Sequence, residues 1–342
     1  MNNTQGDKQI LHLSLNKSWL KQKEAFVALV IFVSLAIIPI FISGYTIYIL
    51  PQYMLFGVLA MSLGLMWGFV GNVSFGQAAF FVIGAYAMGL SMKGLTWGNP
   101  AYIGIFLAIM LGGFVAALCG YFLFSAGVRG SYFVLITLAL SIIAEQVAVS
   151  QSHITGGWNG MFIDRMQLSF GPFGKIDLNG DIPIYYVILI VTTFLYCLMR
   201  MLIHSKFGRV LVGIRENEDR ALALGFNTTL YKTAAFAISG SLACLAGALY
   251  ATHANFVAPS SGGVLFSTEV VVWVAIGGRA SILGALVGGI TVSSMSNYLS
   301  AITPEYWQFF LGLLFIFVIL FFKGGVAGAL SRVFNGNKKG GP

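Results

Sequence analysis

The chain is expected to fold as an all-α, polytopic bundle of about ten transmembrane helices, and three features of the sequence carry that expectation. Apolar residues make up 58% of its 342 residues and charged residues only 9%. A soluble domain carries roughly 25% charged residues, so most of this chain is unsuited to face water. The apolar residues are gathered into runs that approach the roughly 20 residues needed to cross a bilayer. The basic residues lie between those runs and on alternate sides, the asymmetry that membrane insertion selects. Abundant glycine and aromatic residues suit close helix packing and interfacial anchoring. Although the length alone suggests two soluble domains, one integral membrane domain is expected.

The candidate spans run, in order, over about 25–42, 53–71, 75–93, 101–125, 132–150, 183–202, 233–256, 264–277, 282–298 and 307–323. The first follows Lys17, Lys21 and Lys23 and has no small-residue cleavage site, so it is expected to be an uncleaved span and not a signal peptide. With the N-terminal segment 1–24 inside, ten crossings return the tail 331–342 to the same side. Only Lys93, Arg165 and Lys175 then remain outside, whereas an odd number of crossings would break the asymmetry. Both termini are therefore expected in the cytoplasm, flanking a membrane domain over 25–330.

Two places interrupt the pattern. The segment 264–277 has 14 residues, roughly 21 Å as a helix against a hydrocarbon core of about 30 Å. Gly277-Gly278-Arg279-Ala280-Ser281 follows it, so either two short helices meet at the inner face or the chain forms a re-entrant hairpin. Earlier, Asn72, Ser74 and Gln77 fall inside an apolar stretch. Trp67/Gly71/Ser74/Gly76 and Trp273/Gly277/Ser281/Gly284 share one form, which marks either an internal repeat or the abundance of glycine.

The two largest loops differ. The outer one, 151–182, carries Asp164, Asp177 and Asp181 and is long enough to lie across the mouth of a pore. The inner one, 203–232, mixes Lys206, Arg209, Arg215, Glu216, Glu218, Asp219, Arg220 and Lys232 with small apolar residues at helical spacing, and Gly225 supplies a stop. It is either a solvated loop or an interfacial helix that docks onto a partner.

No G-x-x-x-x-G-K-[ST] phosphate cradle occurs, so the chain is not expected to hydrolyse ATP itself. His12, His153, His204 and His253 are scattered, and Cys119, Cys197 and Cys244 lie singly in apolar runs. No metal site, cofactor or enzymatic activity is expected. The net charge of +8 does not signal nucleic acid, because the basic residues form no face with interleaved aromatics. Glu145 in the fifth span and Glu269 in the eighth are the informative charges. An acid at the bilayer centre costs roughly 2.5–3.5 kcal/mol, so each either caps a neighbouring helix at the outer interface or lines a solute path. Asn72, Ser74, Gln77 and Thr137 are neutral candidates for the same path.

Five stretches, 71–86, 131–137, 155–160, 208–232 and 305–325, together resemble permeases of branched-chain amino acid ABC importers, over about 50–330. The resemblance implies a type II-like importer permease in the membrane lipid of a bacterial inner membrane. It implies as partners a second related permease, two ATP-binding subunits and a periplasmic substrate-binding protein. It assigns Arg215, Glu216, Glu218, Ala221 and Gly225 to the segment that couples to the ATPase. The family's acid in the fifth span falls here on Ile142, with Glu145 one turn later. The stretches 269–273, 277–279 and 304–307 resemble the urea-transporting branch. The implied solute is therefore a branched-chain or other small apolar amino acid, or alternatively urea or a short amide. Glu145 and Glu269 also suit an ion-coupled secondary transporter, a reading that leaves the 203–232 loop without a role.

Overall fold

The computed structural model describes residues 24–94, 99–169, 175–177, 180–307, 309–310, 312–313 and 316–317. The expected tail 331–342, nearly all of the N-terminal segment 1–24 and much of the tenth candidate span lie outside the described residues. The helices are α1 (Glu24–Phe41), α2 (Tyr45–Gly64), α3 (Gln77–Gly94), α4 (Pro100–Ser125), α5 (Ser131–Ser150) and α6 (Ser152–Thr155). They continue with α7 (Asp181–His204), α8 (Lys206–Glu216), α9 (Glu218–Ala223), α10 (Thr228–Ala254), α11 (Val264–Gly277) and α12 (Ile282–Ile302). Short strands β1 (Met161–Phe162) and β4 (Phe256–Val257) pair antiparallel, as do β2 (Gln167–Ser169) and β3 (Lys175–Asp177).

Among the described residues seven helices are long and apolar enough to cross a membrane: α1, α2 with its extension to Val70, α4, α5, α7, α10 and α12. The expected spans α3 and α11 are not among them. Gln77, Ser91 and Lys93 fall within the 18 residues of α3, and α11 has 14 residues. The second span begins at Tyr45 and not at 53, because Pro51 sits inside α2. Proline is tolerated in membrane helices where neighbouring groups satisfy the freed carbonyl.

Contacts at the helix ends fix the course of the chain. At one end of the bundle Arg129, just before α5, pairs with Glu218 on α9, and Lys232 at the start of α10 lies over the Phe124 ring near the end of α4. Arg279, between α11 and α12, lies over the Trp67 ring at the same end. At the opposite end Arg165 pairs with Asp181 at the start of α7, and Met161 and Ile163 pack against Gly89 of α3. Tyr48 meets His253 there, and Asn297 reaches Tyr45. Helices α1 to α5, α7 and α10 to α12 therefore alternate in direction, and Arg129, Arg215, Arg220, Lys232 and Arg279 share one end. Segments α11 and α12 form two antiparallel helices. The first starts part-way along the bundle: Gly262 and Gly263, just before it, lie against Val82 of α3 and Glu145 of α5. The 3₁₀ turn Pro259–Gly262 leads the chain down from β4 to that depth, which is why 14 residues suffice for α11.

Close approach of small residues holds the bundle together. Ala101, Gly104, Ala108, Gly112, Ala116 and Gly120 form a buried stripe along α4 at nearly regular four-residue spacing. It meets α10, where a Cβ on Gly240 would come within 2.5 Å of the Ala116 methyl. In lipid there is no hydrophobic drive between helices, so such packing and interhelical hydrogen bonds supply the association. The Cys244 thiol adds one, donating to the Phe80 carbonyl at 2.8 Å.

Candidate functional site

The first of the two interruptions read in the sequence opens a seam inside the bundle. Helix α2 ends in a π-helical turn, Leu65–Val70, and Gly71 reverses the chain at a φ of +91°, a conformation that glycine adopts at little cost. The amides of Gly71 and Asn72 both donate to the Met66 carbonyl. Asn72 is half-buried, and its buried Nδ2 has no hydrogen-bond partner among the described residues. Ser74 is buried and accepts from the Gly76 amide at 3.2 Å. Phe75 is then held by α5: its amide donates to Thr137 Oγ1 at 3.1 Å, and its carbonyl accepts from Ser141 Oγ at 2.7 Å. Ser141 Oγ also lies 3.0 Å from Ser267 Oγ on α11. Irregular backbone inside a membrane protein needs such internal partners.

Gln77 takes no part in this seam. Its Nε2 donates to Ser239 Oγ at 3.0 Å, its Oε1 accepts from Ser62 Oγ at 3.1 Å, and Ser239 Oγ donates to the Ser62 carbonyl at 2.7 Å. The amide is buried with its nitrogen and its oxygen each partnered, and it ties α2, α3 and α10 to one another. Ser141 and Ser267 were missed from the sequence. The available signal was spacing: Thr137, Ser141 and Glu145 recur at four-residue intervals and so share a face of α5.

The two acids, grouped from the sequence, do not converge. The Glu145 carboxylate lies against Gly263, the N-cap of α11, close enough that a Cβ there would fall 2.8 Å from Oε2. The N-cap glycine has no side chain with which to cap this helix, so the amides of its first turn and its positive dipole end face the anion. Glu269 lies about 200° around α11 from Ser267, at 3.6 residues per turn, and so on another face. Among the described residues neither carboxylate has an ion-pair partner.

The charged loop folds into α8 and α9. Ser205 caps α8 through the Gly208 amide, and Asn217 caps α9 through the Arg220 amide at 2.9 Å. Gly225, at a φ of +85°, turns the chain out of α9, while the Phe226 amide returns to the Ala221 carbonyl. Glu218 does not face outward: it pairs with buried Lys232 and, at 3.1 Å, with Arg129. Burial is the largest single influence on its carboxyl and opposes ionisation, but Lys232, Thr228 and Arg129 outweigh it and hold the pKa below the ordinary range. Ala221 is buried beneath the segment, and Arg215 reaches inward to the Gly68 carbonyl. Of the five residues assigned to this loop, Glu216 is the charge left facing outward as a carboxylate. The exposed apolar residues Leu222, Leu224 and Phe226, which the sequence reading passed over, flank it on the same segment. The run Ala-Leu-Ala-Leu-Gly-Phe was their signal. Among the described residues no group of three or more His, Cys, Asp or Glu is placed to hold a metal ion.

A family model described as "Branched-chain amino acid transport system / permease component" matches residues 45–319, from α2 beyond α12 and so across both the seam and the α8–α9 segment. The chain is similar to the high-affinity branched-chain amino acid transport system permease protein LivM of Escherichia coli K12, at 27% identity over 92% of this chain and 76% of that protein. It is similar to the probable branched-chain amino acid transport permease protein LivM of Methanocaldococcus jannaschii, at 24% identity over 70% and 77%. Similarity extends to the autoinducer 2 import system permease protein LsrC of Escherichia coli HS, at 25% identity over 51% and 52%. No solved structure matches the chain.

Proposed function

The chain belongs to the family of branched-chain amino acid transport permease components, and from that membership we propose that it is the membrane-spanning subunit of an ATP-driven importer for branched-chain or other small apolar amino acids. Its partners are a second related permease, two ATP-binding subunits and a periplasmic substrate-binding protein. It lies in a bacterial inner membrane with ten crossings and both termini in the cytoplasm.

One observation carries this reading. The α8–α9 segment is anchored to the bundle by the Glu218–Lys232–Arg129 cluster at the end where basic residues gather, yet it leaves Leu222, Leu224 and Phe226 exposed. A merely solvated loop has no need of that anchoring or of those side chains, whereas a segment that docks onto an ATPase has need of both. On the membrane side, α5 exposes Ile142, Ile143 and Val147 together with Gln146. An uncharged amide in lipid is costly, so this face suits a cover of protein, the second permease. The solute path then follows the seam along Thr137, Ser141 and Glu145, which α3 and α11 close on the other side.

Uptake into vesicles of the assembled complex tests the reading. Leucine and valine are expected to enter only with ATP and the binding protein present. Uptake driven by an ion gradient alone would sink the importer assignment. The neutral hydroxyls of Thr137, Ser141 and Ser267 favour a second solute, urea or a short amide, which needs no charged partner. Inhibition by urea with no effect of leucine would select it.

Glu145 gives a second test. In Glu145→Gln the shape persists and the charge is lost, so a path role predicts at least a tenfold fall in transport by the protein recovered from membranes. A capping role alone is worth about 0.5–1 kcal/mol of stability at the start of α11. A variant that is less stable but transports normally would assign Glu145 to capping.

A further inference from the structure

The inner end of α2 is gripped from two sides. From one side Arg215, the penultimate residue of α8, donates through Nη1 to the Gly68 carbonyl, while its Nε and Nη2 are held by Glu216 Oε1. Its methylene stem lies on the break itself, where a Cβ on Gly71 would come 2.8 Å from Arg215 Cγ. From the other side the Arg279 carbonyl presses on Gly68 so closely that an added Cβ would meet it at 1.9 Å, and the Arg279 guanidinium lies over Trp67.

The chemistry of this contact is specific. The π-turn spends the Gly71 and Asn72 amides on a single carbonyl, Met66, so the carbonyls that follow lose their intrahelical donors. A cation at a helix C-terminus is favourable, and a guanidinium fork serves a carbonyl and a carboxylate at once. The chain beyond Gly71 is then held by α5 through both polar groups of Phe75, and α5 meets α11 through Ser141 and Ser267. Direct contacts therefore lead from the end of α8, through the break, to the seam.

We propose that Arg215 is a positioning residue through which movement of the α8–α9 segment reaches the break between α2 and α3. The inference rests on the reading of that segment as the ATPase-docking element. When α8 shifts, Arg215 pulls on or releases the Gly68–Gly71 turn, and Phe75 carries the change to the hydroxyl seam. Glu216 keeps the guanidinium aimed, and Gly71 leaves room for its stem.

The test measures solute transported per ATP hydrolysed in the reconstituted complex. A merely structural loss lowers the yield of complex and both activities in parallel, leaving that ratio unchanged. Arg215→Gln is expected to lower the ratio at least fivefold. Arg215→Lys, which keeps the cation but not the fork, is expected to fall between it and wild type. Leu224→Glu, at the proposed docking surface, is the companion variant and is expected to abolish solute-stimulated hydrolysis. If Leu224→Glu acts as expected while Arg215→Gln keeps the wild-type ratio, the positioning role is overturned and the docking reading stands. Wild-type behaviour in both overturns both, and a loss in Arg215→Gln confined to the yield of complex also overturns the positioning role.

Discussion

Glu218→Ala is expected to destabilise the protein severely, by about 3 kcal/mol, because it strands a buried ammonium. Lys232 is only 5% exposed and lies over the Phe124 ring, with Glu218 as its ion-pair partner. Removing one member of a buried pair leaves the other charge desolvated and uncompensated, which costs more than the pair itself contributed. The change also takes from Arg129 its nearer carboxylate and leaves it Asp219 at 3.9 Å, which loosens both the turn before α5 and the start of α9. Thermal unfolding in detergent is expected at a midpoint roughly 5–10 °C lower. Lys232→Met introduced beside Glu218→Ala removes the stranded charge and is expected to recover most of the loss. Acid supplies an independent check. The carboxyl is held below its ordinary range, so its contribution is complete above the unfolded carboxylate pKa and is lost as pH falls through the folded one. The difference between wild type and Glu218→Gln is therefore expected to be full at neutral pH and to close only in strong acid. Equal midpoints for Glu218→Ala and wild type would show that Lys232 finds water or another partner.

What the sequence made legible follows from the kind of signal each feature leaves. Apolar runs and the placement of lysine and arginine depend only on a residue's own transfer energy, and so the bundle and the gathering of Arg129, Arg215, Arg220, Lys232 and Arg279 at one end were readable directly. Gly225 was legible as a stop because a positive φ is a local demand that few residues other than glycine meet. The roles of Glu218 and Gln77 were not, because a buried partner across the fold leaves no trace near the residue itself. Lys232 is 14 positions from Glu218, and Ser239 is 162 from Gln77. The two acids looked alike on the same ground. Which face of α11 meets α5 is decided by packing, and that alone separates Glu145 from Glu269. The expected span at about 53–71 starts later than the observed helix, which begins at Tyr45 and carries Pro51 in its interior.

Gly84→Val is expected to have the larger effect on the bundle itself and to remove most of the folded protein from the membrane. Gly84 lies on α3 where that helix crosses α10, and a Cβ there would sit 1.9 Å from the Cys244 carbonyl oxygen. The same crossing is closed reciprocally, since a Cβ on Gly247 of α10 would meet the Phe81 carbonyl at 1.9 Å. The clashing atoms on both sides are backbone, so no rotamer change relieves them and the helices must separate. Separation breaks the Cys244 thiol bond to Phe80 and unseats Gln77 from Ser239, the polar ties that hold α3 against α10. Overpacking a core usually costs about 1–3 kcal/mol, and a clash of the added carbon with backbone at a central crossing is expected to reach at least about 3 kcal/mol. Gly94→Val is the matched control: the same substitution at the far end of α3, where nothing among the described residues lies within 4 Å of the added carbon. Membrane yield and detergent unfolding of the two variants are to be compared side by side. A collapse in Gly84→Val with Gly94→Val unchanged is the expected outcome, whereas equal yields and equal midpoints would mean that α3 and α10 do not cross as closely as this packing requires.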